Sequence, residues 1–181
     1  MRMQQPAATG PWTSGIAAPS ERLTVPKEMD ATTRRQLIDK YRAGPAVLEA
    51  ALREVPEADL DHSFEGWTPR QVAHHVADSE MTSAIRLRRL VAEDRPHLSG
   101  YDEELFARRL HYSERPLEGS LEAVRGARAS TVALLEVLTE EEWSREGTHS
   151  ESGSYSVTDW LRIYAAHCHD HAEQIRRARR P

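Results

Sequence analysis

The chain lacks the features that would place it in several common protein classes. It has one cysteine, Cys168, which rules out an intramolecular disulfide, so nothing in it requires an oxidising compartment. It has no apolar run long enough to cross a bilayer. The first residues, MRMQQPAATGPWTSG, lack the apolar stretch of a signal peptide. The sequence therefore predicts a cytoplasmic protein that does not bind membranes.

The chain also lacks an excess of positive charge. Its formal net charge is −5, and the basic run at its end, IRRARRP, is too short to outweigh an acidic whole. A nucleic-acid-binding surface is therefore not expected, and arginines near a helix C-terminus have a simpler explanation as partners of the helix dipole. The expected partner is a small-molecule substrate.

Composition divides the 181 residues into two parts. Residues 1–29 are rich in Pro, Gly, Ala and Ser and predict an irregular N-terminal arm. Residues 30–181 carry apolar residues mostly at helical spacing, and no segment alternates convincingly with the period of two that is typical of strands. The sequence predicts one all-α domain in which strands have no important place.

Capping signals and helix breakers indicate where the helices lie. Gly44-Pro45 is expected to kink or divide the first helix. The segment WTPRQ has the pattern of a capping box with a proline at the first helical position, so a second helix is expected over residues 68–93. Residues 94–118 are interpreted as a long crossover before a third helix that begins at Ser120. The segment GTHSESGSYS is expected to be a loop before the last helix. This arrangement predicts a four-helix bundle with a long crossover between the second and third helices.

The last helix carries two histidines on its predicted inward face. His167 and His171 are four residues apart, so their rings lie one turn from each other on one side of the helix, and His169 points to the other side. Burying two unpaired imidazoles is unfavourable, and one divalent transition metal bound by both neutral rings removes that cost. The alternative is that each histidine bonds to a neighbouring side chain or water, since so short a pattern often arises by chance.

A third ligand is expected from the segment QVAHHVADSE. His75 lies at the border of the inward stripe of the second helix and His74 near its far side, so His75 is the better candidate. The alternative is a boundary histidine that bonds to Asp78 or Glu80. Three histidines would leave coordination positions open for water, which is typical of a reactive metal. Such an ion lowers the pKa of a bound water or thiol.

No convincing general base stands out beside the three histidines. Glu80, His149 and Arg128 are the candidates for a catalytic role. Glu80 could instead orient an imidazole. Arg128 lies on the apolar stripe of the third helix, where it could meet an anionic substrate or, more commonly, extend along the rim to solvent. Cys168 is expected to pack rather than to react.

Three segments, GWTPRQVAHHVADSEMTSAIRLRRLVAED, YDEEL and YAAHCHDHAEQI, resemble the DinB-like superfamily and most closely its YfiT-like branch of metal-dependent hydrolases. The resemblance implies a four-helix bundle with an unusual order of helix directions. It also implies a nickel or zinc ion held by His75, His167 and His171, and a homodimer, because several relatives form dimers. The third helix of near relatives often carries a histidine-arginine-aromatic segment that has no clear counterpart in VRGARASTVALL, which leaves the substrate open.

The implied activity is metal-dependent hydrolysis by activated water. The alternative is a metal-dependent thiol S-transferase that uses a low-molecular-weight bacterial thiol as co-substrate. A second alternative is a non-catalytic metal-binding or interaction bundle.

Overall fold

The structure, a computed structural model, describes residues 29–63 and 66–178. Four long helices form the body: α1 (Ala31–Arg53), α2 (Pro69–Ala92), α4 (Leu117–Leu135) and α6 (Val157–Ala178). Shorter elements connect them: a 3-10 turn (Glu57–Asp59), α3 (Glu103–Arg109) and α5 (Glu140–Trp143). Helices α1 and α2 each pack against both α4 and α6, which confirms the predicted four-helix bundle. Apart from Met29, the predicted N-terminal arm lies outside the described residues.

The capping signals that the sequence predicted lie at the starts of α2 and α6. The hydroxyl of Thr68 accepts from the backbone N–H of Gln71, whose side chain in turn accepts from the backbone N–H of Thr68. At the start of α6, the Ser156 N–H donates to Asp159 at 3.0 Å and the Asp159 N–H donates to the Ser156 hydroxyl at 3.1 Å. The third long helix begins at Leu117, three residues before its predicted start.

Helix α1 continues through Pro45 as one element, so it is not divided at Gly44-Pro45. A proline inside a helix leaves the carbonyl four residues earlier without its intrahelical donor, and here that carbonyl belongs to Tyr41. The side chain of Arg128 supplies a donor to it, with 2.5 Å between Nη1 and the oxygen. A contact from another helix therefore offsets the local cost of the proline.

The prediction that strands have no important place in the fold is wrong, because the described residues include three short strands. The segment expected to be a loop is an antiparallel hairpin of β2 (Glu146–His149) and β3 (Gly153–Ser156), and β1 (His97–Leu98) in the crossover pairs with β2 in parallel. Strands of two to four residues are too short to show a period of two. A Cβ at Gly147 would lie 2.4 Å from the carbonyl oxygen of Pro96, so glycine allows β1 to approach β2.

A polar layer divides the core of the bundle. One apolar cluster, around Trp160, lies on one side of this layer, and a second, around Ile175, lies on the other. The polar layer consists of five buried side chains from α2 and α4: Ser79, Glu80, Ser83, Arg128 and Thr131. No helix in the described part of the chain is both long and apolar enough to cross a membrane.

Candidate metal centre

Three histidines from α2 and α6 meet beside the polar layer. One ring nitrogen from each of His75, His167 and His171 lies within 4.8 Å of the other two. Their ring centroids are 4.6 to 5.7 Å apart. In residues 29–63 and 66–178, this is the one group of three or more metal-ligating side chains that close together. The structure thus brings together the three residues that the sequence predicted as metal ligands.

Hydrogen bonds orient the two rings on α6. The Nδ1 of His167 lies 3.2 Å from Oε1 of Glu80, and the Nδ1 of His171 lies 2.7 Å from Oε1 of Gln174. Carboxylate and amide oxygens only accept, so Nδ1 is the donor in both rings. In the neutral form of each ring the lone pair is then on Nε2, the tautomer that a metal-ligating histidine with such a partner adopts.

The third ring is buried without a polar partner. His75 is 3 % exposed, and its Nδ1 has no hydrogen bond among the described residues. Burial, together with His171 and His167, lowers the pKa of His75 well below its usual value. Burial, followed by His167, lowers the pKa of His171 to about 3. These two rings are therefore neutral at physiological pH and have lone pairs to offer a cation.

The donor set fits a divalent transition metal. Imidazole nitrogens bind zinc at about 2.0–2.1 Å, so nitrogens this close reach one ion after side-chain shifts of about 1 Å. The side chain of His167 is 15 % exposed, so the cluster is not sealed from solvent. Three protein ligands are the number found in catalytic rather than structural zinc sites.

A buried ion pair supports the cluster from inside the bundle. Glu80, which is fully buried, accepts from Arg128 Nη2 at 2.6 Å and from the Tyr41 hydroxyl at 3.2 Å. Arg128 also donates to the backbone oxygens of Tyr41 and Tyr164, at 2.5 and 2.9 Å. Burial alone would raise the pKa of Glu80, but Arg128 and His167 outweigh it, and the pKa lies below its usual value. Glu80 is therefore a carboxylate whose charge is already paired.

Arg128 and His74 are more deeply buried than their positions in the sequence suggested. Arg128 does not extend along the rim, because its side chain is 1 % exposed and its donors face acceptors inside the bundle. His74 does not face outward either. It is buried, with Nδ1 2.7 Å from the Ser120 hydroxyl and Nε2 3.1 Å from the carbonyl oxygen of Arg115. The end of the crossover and the first turn of α4 cover that side of α2.

The other candidates make contacts of their own. His149 is buried in β2, where its Nδ1 accepts from the backbone N–H of Glu151 at 3.3 Å. Asp78 accepts from the Tyr112 hydroxyl at 2.6 Å. Cys168 is buried, and burial raises the pKa of its thiol to about 12, so it packs as expected. The catalytic roles suggested for Glu80, His149 and Arg128 stay predictions.

Sequence reasoning gave no site role to Gln174 or Ser79. Gln174 lies three residues after His171, so helical spacing could have identified it. Ser79 lies one turn after His75, and its Oγ is 3.5 Å from Nε2 of His167.

The fold and the histidine cluster together define a helical-bundle protein with a candidate three-histidine metal centre. The family model of the DinB superfamily matches residues 40–175. The chain belongs to that superfamily.

Its relatives include YfiT-like proteins. Two of them, each named "putative metal-dependent hydrolase", come from Oceanobacillus iheyensis and Bacillus subtilis, the latter being YfiT. They are 35 % and 31 % identical to this chain over 72 % of its length, and the match spans 77 % and 75 % of theirs.

Solved structures share the fold. YfiT from Bacillus subtilis, described as a probable metal-dependent hydrolase with an unusual four-helix bundle topology, matches with a TM-score of 0.78. The match has 28 % identity and covers 82 % of this chain and 87 % of YfiT. A mycothiol-dependent maleylpyruvate isomerase matches with a TM-score of 0.64 at 18 % identity, covering 78 % of this chain and 60 % of the isomerase. At that identity the isomerase shows the fold alone.

Proposed function

We propose that this protein is a metal-dependent hydrolase of small molecules whose ion, nickel or zinc, is held by His75, His167 and His171. The observation that carries the proposal is the convergence of three ring nitrogens within 4.8 Å, with Nδ1 of both α6 rings engaged elsewhere. The names of the YfiT-like relatives agree with it. A bound divalent ion would supply Lewis acidity, which lowers the pKa of a coordinated water toward neutrality.

The residues around the cluster have separate tasks in this proposal. Glu80 and Gln174 hold the two α6 rings in the tautomer that directs Nε2 to the ion. Arg128 keeps Glu80 ionised in a buried layer, so that Glu80 accepts from His167. His75 closes the set from α2, and its low pKa keeps it neutral. Three protein ligands leave room for water and for the substrate.

Elemental analysis of the purified protein tests the ligand set. Wild-type protein should contain close to one transition-metal ion per chain, and His167→Ala should contain little. His169→Ala is the matched control, because His169 lies on the same helix with its ring 3.0 Å from the backbone oxygen of Lys40, and it should keep the metal. Equal metal in wild type and His167→Ala would overturn the proposal.

A thiol S-transferase is the second candidate, and the pairing of Glu80 favours it. A hydrolase of this type benefits from a free general base, whereas Glu80, the carboxylate that contacts the cluster, is already bonded to Arg128. A low-molecular-weight thiol ionised by the ion needs no such base. One fold neighbour is named as a mycothiol-dependent enzyme.

One assay separates the two reactions. Metal-loaded protein is mixed with monochlorobimane, a model electrophile, with and without added cysteine as the thiol. Loss of the electrophile without thiol supports hydrolysis, and loss only with thiol supports transfer. A purely structural metal would instead lead to unfolding on chelation, because its binding energy is folding energy. The homodimer and the cytoplasmic location remain proposals, and light scattering tests the first.

A further inference from the structure

His75 differs from the other two rings of the candidate centre in how it is held. The Nδ1 atoms of His167 and His171 each lie within hydrogen-bond distance of a side-chain oxygen. The buried Nδ1 of His75 has no hydrogen bond to any described residue. Contacts from outside the ligand set fix the orientation of a ligand ring and strengthen metal binding. A contact of another kind therefore has to orient the ring of His75.

The ring of Trp67 lies against the ring of His75. Their centroids are 5.1 Å apart and their planes meet at 70°, which is the edge-to-face arrangement that aromatic pairs prefer. Trp67 is half-buried and comes directly before Thr68, the N-cap of α2. The capping box thus fixes the backbone next to the indole, and the indole restricts the rotation of an imidazole about two turns further along the helix.

The crossover holds the other end of the indole. Nε1 of Trp67 donates to Oε1 of Glu104 in α3 at 2.6 Å, and a hydrogen bond to a carboxylate is about twice as strong as one between neutral groups. The indole also lies 6.4 Å from the buried ring of Tyr112, with the two planes at 87°. A line of contacts therefore runs from α3 through the indole to the third ring of the cluster.

We propose that Trp67 is a positioning residue for His75 and that Glu104 fixes it through the indole N–H. The inference rests on the proposed function, because it gives His75 the role of a metal ligand. Trp67 touches neither the ion nor the substrate in this role. It restricts His75 to the orientation in which a ring nitrogen lies within 4.8 Å of those of His167 and His171. The crossover thereby contributes to metal affinity without supplying a ligand.

Cobalt(II) tests this role, because its visible absorption reports binding and coordination geometry. Cobalt is titrated into metal-free wild type, Glu104→Ala and Trp67→Phe. Each variant loses the hydrogen bond and keeps an aromatic ring beside His75, so each Kd should rise about 5-fold. The double variant should also rise about 5-fold rather than about 25-fold, because the two side chains act through one hydrogen bond.

Two control variants separate positioning from charge. Glu104→Gln removes the negative charge but keeps an oxygen that accepts from the indole, so its Kd should stay within about 2-fold of wild type. Glu114→Ala removes an exposed acid from the same crossover, one that lies 3.5 Å from Nδ1 of His111, and should bind cobalt as wild type does. Glu104 is exposed, so its variants should fold, and circular dichroism of the metal-free proteins checks this.

The outcomes separate this inference from the proposed function. Wild type that takes up no cobalt contradicts the proposed function, and the inference falls with it. If wild type binds cobalt, an equal Kd in wild type and Glu104→Ala overturns the positioning role alone. A double variant weakened about 25-fold overturns it as well, because Glu104 then acts independently of the indole. An equal loss of affinity in Glu104→Gln or Glu114→Ala assigns the effect to charge and also overturns the role.

Discussion

Replacing Gly44 with alanine should destabilise the protein, although the same change in an ordinary helix interior stabilises by about 1 kcal/mol. A Cβ at this position would lie 2.0 Å from Nη1 and 2.8 Å from Cζ of Arg128, and 2.9 Å from Cβ of Cys168. Contacts this short require either the guanidinium or the helices α1 and α6 to move.

The size of the effect follows from how firmly the guanidinium is held. The end of an arginine side chain normally swings aside, but this one is 1 % exposed and bonds to Glu80 and to two backbone oxygens. Overpacking a core costs about 1–3 kcal/mol, and breaking a buried ion pair costs about 3–5 kcal/mol. Partial loss of the pair, less the gain in helix propensity, gives a net loss of about 2–4 kcal/mol in the free energy of unfolding.

Urea unfolding of the metal-free protein, followed by circular dichroism, measures this change. Gly126→Ala is the matched control, because Gly126 lies inside α4 and a Cβ there meets no atom within 4 Å. The control should gain about 0.5–1 kcal/mol. If Gly44→Ala gains as much as Gly126→Ala, the guanidinium is not fixed, and the support assigned to Glu80 is refuted.

Two further predictions concern the second α6 ligand and the crossover. Gln174→Ala removes the acceptor 2.7 Å from Nδ1 of His171, so metal affinity should fall about 10-fold, whereas Gln174→Glu should retain it. Competition with a chromogenic chelator measures the metal affinity of both variants. Equal affinities in wild type and Gln174→Ala would contradict the role of Gln174. Burial and then Glu151 raise the pKa of Glu103 from 4.5 to about 7. Between these two pH values the folded state holds a proton that the unfolded chain loses, so the stability of the protein falls as pH rises from about 4.5 to about 7. Glu103→Gln should therefore stabilise by about 1 kcal/mol at pH 8, a figure reduced for solvent screening, and have little effect at pH 4.5; equal urea midpoint shifts at both pH values would be inconsistent with this.

Features determined within one helix were predictable from the sequence. The capping box at Thr68 involves residues three apart, and the chain alone indicates it. The common face of His167 and His171 follows from the helical repeat. In both cases the interacting groups are close along the chain, so the geometry of one element decides the result.

Features that depend on a second element were not predictable in the same way. His74 was expected near the outside, because the apolar stripe in the sequence shows which side of α2 faces the core. The stripe does not show that the crossover and α4 cover the opposite side. Arg128 was recognised on the stripe of α4, yet its partner Glu80 lies 48 residues earlier. The short strand β1 forms through a parallel pairing with β2, which no local alternation announces.

The Gly44-Pro45 pair, which would weaken an isolated helix, takes part here in a contact between helices. Pro45 has no N–H, so the Tyr41 carbonyl is available to Arg128, and Gly44 has no side chain where the guanidinium lies. Arg128 in turn bonds to Glu80, and Glu80 accepts from His167. Two residues of α1 therefore contribute, through Arg128 and Glu80, to the orientation of a ring on α6. Because Glu80 is committed to this chain of contacts, a base that activates water has to come from another group, or the reaction has to use a nucleophile that ionises without one.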